Sequence, residues 1–218
     1  MPPLLDVHPP HESVHNWRDF LLHITTITIG LFIALSLEGM VEWQHHRHLV
    51  QDAEASLHTE IAANAKDMQS DLDDLHQQQA ALKNDVVLLK YLIAHRKMPV
   101  HGNLEVTFHI RGFENVSWKT AQNTGALEYM PYDRAQKYSD IYGTQAALES
   151  SEQQAARDAI VSLGPFLNFS DKDPDPTPEQ ANAMKDHIET LQGQLLLVDS
   201  YMQGLSKEYQ KFLAANPS

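Results

Sequence analysis

The sequence predicts an all-α protein: one N-terminal transmembrane helix that continues into an antiparallel bundle of long, coiled-coil-like helices. Three observations carry this reading. Residues Phe20 to Leu37 contain no formal charge. Between residues 44 and 97, apolar side chains recur every seven positions. Near the C-terminus, ten apolar residues in succession follow alternating three- and four-residue steps. Only nine glycines interrupt the 218 residues, and 42% are apolar, enough for a packed helical chain.

Charge and composition narrow the function classes. Sixteen Lys and Arg face 29 Asp and Glu, a formal net charge of −13. Phosphate binding needs concentrated Lys and Arg, so nucleic acid is excluded as a partner. Cysteine is absent, which removes disulfides, thiolate metal sites, thiol catalysis and c-type haem attachment, and says nothing about redox compartment. A mean hydropathy of −0.40 excludes a polytopic membrane protein but leaves room for one span.

Taken in order, residues 1–16 hold Pro2, Pro3, Pro9 and Pro10 without apolar periodicity and read as a mobile tail. Residues 17–43 form the transmembrane helix and its interface. The uncharged run is roughly 27 Å long at about 1.5 Å per residue, close to the roughly 30 Å hydrocarbon core. Trp17 and Trp43 bracket it as interface anchors. A cleaved signal peptide is the competing reading, since Ala34-Leu35-Ser36 loosely fits a cleavage site. The acidic residues Asp6, Glu12 and Asp19 before the run, and its length, favour an uncleaved anchor. Arg18 and Arg47 flank opposite ends, so the charge count barely orients the span, and the amino terminus tips it toward an inside tail. Thr26, Gly30 and Ala34 recur every four residues, a small-residue face on which a second span could pack, with threonine hydroxyls bonding across the contact. His23 lies one turn inside the boundary and can stay neutral or reach the headgroups.

Residues 44–218 are expected to form the bundle domain. Helix periodicity covers 44–97, with Ile61, Met68, Leu75, Leu82 and Leu89 in one column and Leu72, Val86 and Ile93 in another, interrupted by Gln79. Pro99 and Gly102 close it. Val100, Leu104, Val106, Phe108 and Ile110 nearly alternate with polar residues, which suggests a loop or short strand over 98–112. Asn115 to Thr124 reads as a short helix, with Gly125 as terminator. A further helix starts near Pro131 and runs to about Leu163, carrying Tyr132, Ala135, Tyr138, Ile141, Tyr142 and Leu148. The stretch DKDPDPTP is a loop. Thr177, Pro178 and Gln180 then supply a cap, a first-turn proline and a capping-box partner. The last seam is Ala181, Met184, Ile188, Leu191, Leu195, Val198, Met202, Leu205, Tyr209 and Phe212. Such a stripe must be buried against other helices. An antiparallel bundle of the helices near 44–97, 131–164 and 178–214, with the short helix at one end, does this.

The run Ile29-Gly30-Leu31-Phe32-Ile33-Ala34-Leu35, the following Trp43 and the polar His/Arg stretch beyond it resemble a family of uncharacterised bacterial single-span membrane proteins. The resemblance continues at Trp118-Lys119-Thr120, at Thr124-Gly125-Ala126-Leu127 and at Tyr138 and Tyr142. It implies an inner-membrane anchor with an extracytoplasmic, periplasmic helical domain. A basic run commonly follows the span in that family, whereas here the stretch is rich in histidine. The resemblance carries over no catalytic residues.

Candidate chemistry is sparse. Glu42 and His45 have the Glu-x-x-His spacing of carboxylate-bridged di-metal bundles, beside Glu38, His46 and His48. No second copy exists, Asp73 and His76 being the nearest analogue, so a polar interface collar is the plainer reading, one that histidines could make sensitive to acid. Tyr129, Tyr132, Tyr138 and Tyr142, with Trp118 nearby, form an aromatic group that reads as core or a ligand pocket. Phosphate loops, zincin motifs and nucleophile elbows are missing. The expectation is a non-enzymatic scaffold or accessory subunit without cofactor. Its partners would be the lipid bilayer and either further copies of itself or other subunits of a membrane complex. A ligand-binding sensor bundle working with a partner, and a metal-dependent enzyme at Glu42 and His45, are the alternatives.

Overall fold

A computed structural model of the protein describes residues 16–99, 104, 112–164 and 176–217. The tail before residue 16, most of the extended segment expected over 98–112, and residues 171–175 of the DKDPDPTP loop lie outside them. The described residues contain five helices and no strand: α1 Trp17–His95, α2 Val116–Asn123, α3 Ala126–Tyr129, α4 Tyr132–Leu163 and α5 Pro178–Ala215. The chain divides into two compact units between Leu49 and Val50, a little beyond the boundary expected at Trp43.

Neither Pro nor Gly occurs between Met40 and Met98, so nothing in the sequence breaks α1 after the span, and it is one helix of 79 residues. Arg96 closes it in the left-handed conformation, φ 56°. Helix α5 begins as its sequence predicts. The Thr177 hydroxyl accepts from the Gln180 N–H, and the Gln180 side chain accepts from the Thr177 N–H. Pro131 stands one position earlier than expected, as the N-cap of α4. Gly125, at φ 74°, separates α2 from α3, a conformation with a steric cost for residues bearing a Cβ.

In the second unit, side-chain contacts fix the direction of each helix. His58, His76, Gln79 and Lys90 of α1 meet Asn216, Asp199, Leu195 and Glu189 of α5. One number rises as the other falls, so α5 is antiparallel to α1. It is also antiparallel to α4, since Tyr138 meets the Phe212 ring and Gln145 meets Tyr209. Glu54 and Glu60 of α1, however, bond Arg134 and Tyr142 of α4 in rising order. Helices α1 and α4 therefore run the same way, and α5 is antiparallel to both. The reason is connectivity: between His95 and Glu114 the chain travels back to the level of Asn64, about 46 Å along α1.

All ten residues of the α5 seam are buried. So are Ile61, Met68, Leu75, Leu82 and Leu89 of α1, together with Leu72 and Val86, while Ile93 is only half-buried. A third column was not legible. Val50, Leu57, Asn64, Asp71, Gln78, Asp85 and Leu92 step by sevens, and every one is buried. Four of the seven are polar, so apolar periodicity does not mark the column. Helix α4 repeats the pattern with Tyr138, Gln145, Glu152 and Ala159, also spaced by seven and also buried. Its wide aromatic end gives way to Ala155 and Ala159, leaving little side-chain bulk there.

Leu195 is 1% exposed and its neighbour Leu196 is 63% exposed. Leu195→Ala should cost about 2–5 kcal/mol, and Leu195→Asp should abolish cooperative thermal unfolding because it buries an unpaired charge. Leu196→Asp should melt within a degree or two of the parent chain. Equal melting temperatures for the two Asp variants would show that the seam is not packed inside its own chain.

Candidate functional site

The second unit is knotted together at one carboxylate. Helix α2 has no side-chain cap of its own: its N-cap residue Asn115 makes no capping bond. The first-turn N–H groups of a helix need acceptors, and a negative charge there interacts favourably with the helix dipole. Glu60, 5% exposed on α1, supplies both. Its Oε2 accepts from the Ser117 N–H at 2.7 Å, and its Oε1 from the Trp118 N–H at 3.4 Å. Oε1 also accepts from the Tyr142 hydroxyl at 2.6 Å. The Trp118 ring lies on the Tyr142 ring, 4.9 Å between centroids and 6° from parallel.

One turn further along α1, Asn64 pairs with the backbone of Glu114 in both senses. Its Nδ2 donates to the Glu114 carbonyl at 2.8 Å, and its Oδ1 accepts from the Glu114 N–H at 2.9 Å. Gln145 of α4 donates to the same carbonyl at 3.0 Å and accepts from the Tyr209 hydroxyl of α5 at 2.8 Å. Four helices thus meet through Glu60, Asn64, Tyr142, Gln145 and Tyr209. Burial raises the phenols of Tyr142 and Tyr209 well above the ordinary tyrosine range, and Glu60 raises Tyr142 further. Both hydroxyls are therefore held as protonated donors. The arrangement is a clasp whose polar groups bond one another, suited to fixing helix positions.

The aromatic group expected from sequence splits in two. Tyr138 and Tyr142 are buried in the clasp region, whereas Tyr129 and Tyr132 are 48% and 82% exposed. Burial, with Glu54 nearby, pushes the Tyr138 phenol up to about 12. Of the other residues singled out in the sequence, Trp118 stacks on Tyr142, Gly125 makes the left-handed turn, and Ala126 is buried. Glu60, Asn64 and Gln145 went unrecognised, because a charged or amide residue next to an apolar seam looks like a solvated edge.

A second polar layer lies further along. Asp71 and Glu152 are each 7% exposed, and they follow Asn64 and Gln145 by one heptad on α1 and α4. Burial first, then the negative charges of Asp71 and Glu149, raise the Glu152 carboxyl from 4.5 to about 7. The folded chain thus holds this proton more tightly than the unfolded chain does.

The remaining sequence candidates lie in the first unit. Thr26, Gly30 and Ala34 share an exposed face of α1, and a Cβ at Gly30 would have nothing within 4 Å. The hydroxyls of Thr25, Thr26 and Ser36 donate to carbonyls four residues back in their own helix. Thr26 thus spends its proton internally and offers a partner only an acceptor. A shallow apolar depression formed by Ile29, Phe32, Ile33, Ser36, Leu37 and Met40 lies beside that face. Trp17 and Trp43 are exposed at the two ends of the apolar run. Glu42 and His45 are exposed and one turn apart on α1. Among the described residues, no three His, Asp or Glu converge into a metal-binding group. The chain matches no family model, no curated protein and no solved structure.

Tyr142→Phe removes a hydrogen bond to a charged acceptor and should destabilise the chain by about 1.5–3 kcal/mol, measurable by denaturant titration. Tyr142→Phe in a Glu60→Gln background should cost clearly less, since the two side chains share one bond. The pH dependence from Glu152 has a definite sign. Its folded-state value exceeds the unfolded one, so stability is highest below about pH 4.5 and falls until about pH 7. Glu152→Gln should raise the melting temperature of the detergent-solubilised chain by several degrees at pH 8 and leave it nearly unchanged at pH 4.

Proposed function

We propose that this protein is a single-pass membrane scaffold or accessory subunit. It acts by association through a helical domain that one N-terminal span holds at the bilayer. The observation that carries the proposal is the state of the apolar run. Among the described residues, α1 is the one helix long and apolar enough to cross a membrane, and none of its most apolar window is buried by the rest of the chain. Ile27, Leu31, Phe32 and Ile33 are 69%, 58%, 65% and 56% exposed. Lipid, or other spans within lipid, is the medium that covers such a surface. The clasp supports a positioning role, because its side chains are bonded to one another and to helix ends.

The resemblance noted at Ile29–Leu35, Trp118 and Tyr138–Tyr142 favours the bacterial inner membrane, with residues 44–218 on the periplasmic side. Association through the span is assigned to the face of Thr26, Gly30 and Ala34, where small side chains allow backbones to approach closely.

The absence of cysteine makes the test direct. Ala34→Cys in native membranes should form a disulfide-linked species on mild oxidation, and Phe32→Cys, on the opposite side of the helix, should not. A product of twice the chain mass indicates self-association, and one of another mass identifies a second subunit. Equal cross-linking at both positions, or at neither, refutes the assigned face. Protease added to spheroplasts should digest residues 44–218 and spare a tag at residue 1, and the full chain should stay with membranes through a carbonate wash.

A further inference from the structure

The stretch just after the apolar run has a chemistry that an anchor alone does not need. Glu38, Glu42, Trp43, His45, Arg47 and His48 are all exposed on α1, and His46 is half-buried, with its ring centroid 5.9 Å from that of His45. The Arg47 guanidinium lies over the Trp43 ring, 5.4 Å from its centroid. That contact shows the direction in which these side chains lean. In an α-helix each Cα–Cβ bond tilts toward the N-terminus. On a helix that leaves the bilayer at its C-terminal side, this tilt points back toward the headgroups. Trp43 stands about 9 Å beyond Leu37, where an aromatic ring sits among headgroups. Arg47 folds back onto it, and His45, His46 and His48 project from the same two turns.

From this placement we infer that the collar over residues 38–52, through Arg47 and its three histidines, is an acid-gated binding surface for anionic lipid headgroups; the inference rests on the membrane-span reading above. The charge count supplies the gate. With the imidazoles neutral, Glu38, Glu42 and Asp52 outweigh Arg47 and the stretch carries two net negative charges, which repel lipid phosphate. With three imidazoles protonated it carries one net positive charge. Histidine is the side chain whose charge changes over this pH range, and a basic residue near an anionic leaflet gains attraction of fixed sign. On α1 itself, Glu42, Arg47 and Asp52 stand within about one turn of the histidines, and Glu38 one turn further back. The imidazoles thus stand where lysines would make a permanent lipid contact, and they make it conditional.

The test uses the full chain with Trp17→Phe and Trp118→Phe, so that Trp43 is the single reporter. It is reconstituted into phosphatidylcholine vesicles containing equal small fractions of either phosphatidylglycerol or phosphatidylcholine brominated high on the acyl chain. The ratio of Trp43 quenching by the two brominated lipids measures enrichment of the anionic lipid at the collar. Between pH 8 and pH 5.5 this ratio should rise at least twofold, and the rise should vanish in 0.5 M salt. The triple variant His45→Gln, His46→Gln, His48→Gln, which keeps helix propensity, should give a flat ratio. A ratio that ignores pH in the parent chain overturns the inference. So does a rise that survives in the triple variant, or one that inorganic phosphate suppresses at constant ionic strength. A chain that fails to float with vesicles refutes the membrane reading instead, and this inference falls with it.

Discussion

The second unit depends on the Glu60 carboxylate. A helix of eight residues cannot hold itself together in water, and α2 begins without a cap on its own N-cap residue. Glu60 supplies the missing acceptor and, through the same oxygen pair, receives the Tyr142 hydroxyl of α4. One buried charge thereby sets the place of α2 relative to α1 and the height of α4 along α1. Burying a carboxylate is costly unless its oxygens are well bonded. Here they accept from two backbone N–H groups and one phenol, which compensates the lost hydration.

That height then propagates. With Glu60 opposite Tyr142, the heptad column of α1 matches the heptad column of α4 in step. Asn64 and Gln145 meet at the Glu114 carbonyl, and one heptad on, Asp71 acts on Glu152. Apolar layers alone would let two parallel helices slide by a turn at modest cost, since one leucine packs much like the next. A polar layer does not tolerate sliding, because an unsatisfied buried amide or carboxyl costs more than a misplaced methyl group. Asn64 and Gln145 both reach the Glu114 carbonyl only in the observed register. Polar positions inside the seams act as register marks, as single polar residues do in coiled coils. Glu152 shows the accompanying cost: burial beside Asp71 raises its carboxyl to about 7.

The division of labour along α1 follows from the same economy. One uninterrupted helix presents an apolar run long enough to cross a membrane, then a His/Arg collar, then three heptad columns. Each change of character is a change of side chains on an unchanged backbone. In the collar, exposed charged, aromatic and imidazole groups fall within two turns directly after the apolar run.

Much of this was legible from sequence alone. The apolar run from Phe20 to Leu37, the capping box at Thr177 and Gln180, the ten-residue seam of α5 and the turn at Gly125 each depend on local chemistry: hydropathy, periodicity, a hydrogen bond three residues away, a left-handed φ. The all-α class follows from their sum. What only the tertiary structure decided is the pairing of distant polar residues. Nothing near Glu60 in sequence announces that it caps a helix beginning at Val116, and nothing near Asn64 announces the Glu114 peptide. The burial of Glu60 and Asn64 depends on those pairings. The reason is physical. Periodicity reports where apolar surface must be hidden, whereas a buried polar side chain is allowed only by the specific partner that satisfies it, and that partner is brought by the fold.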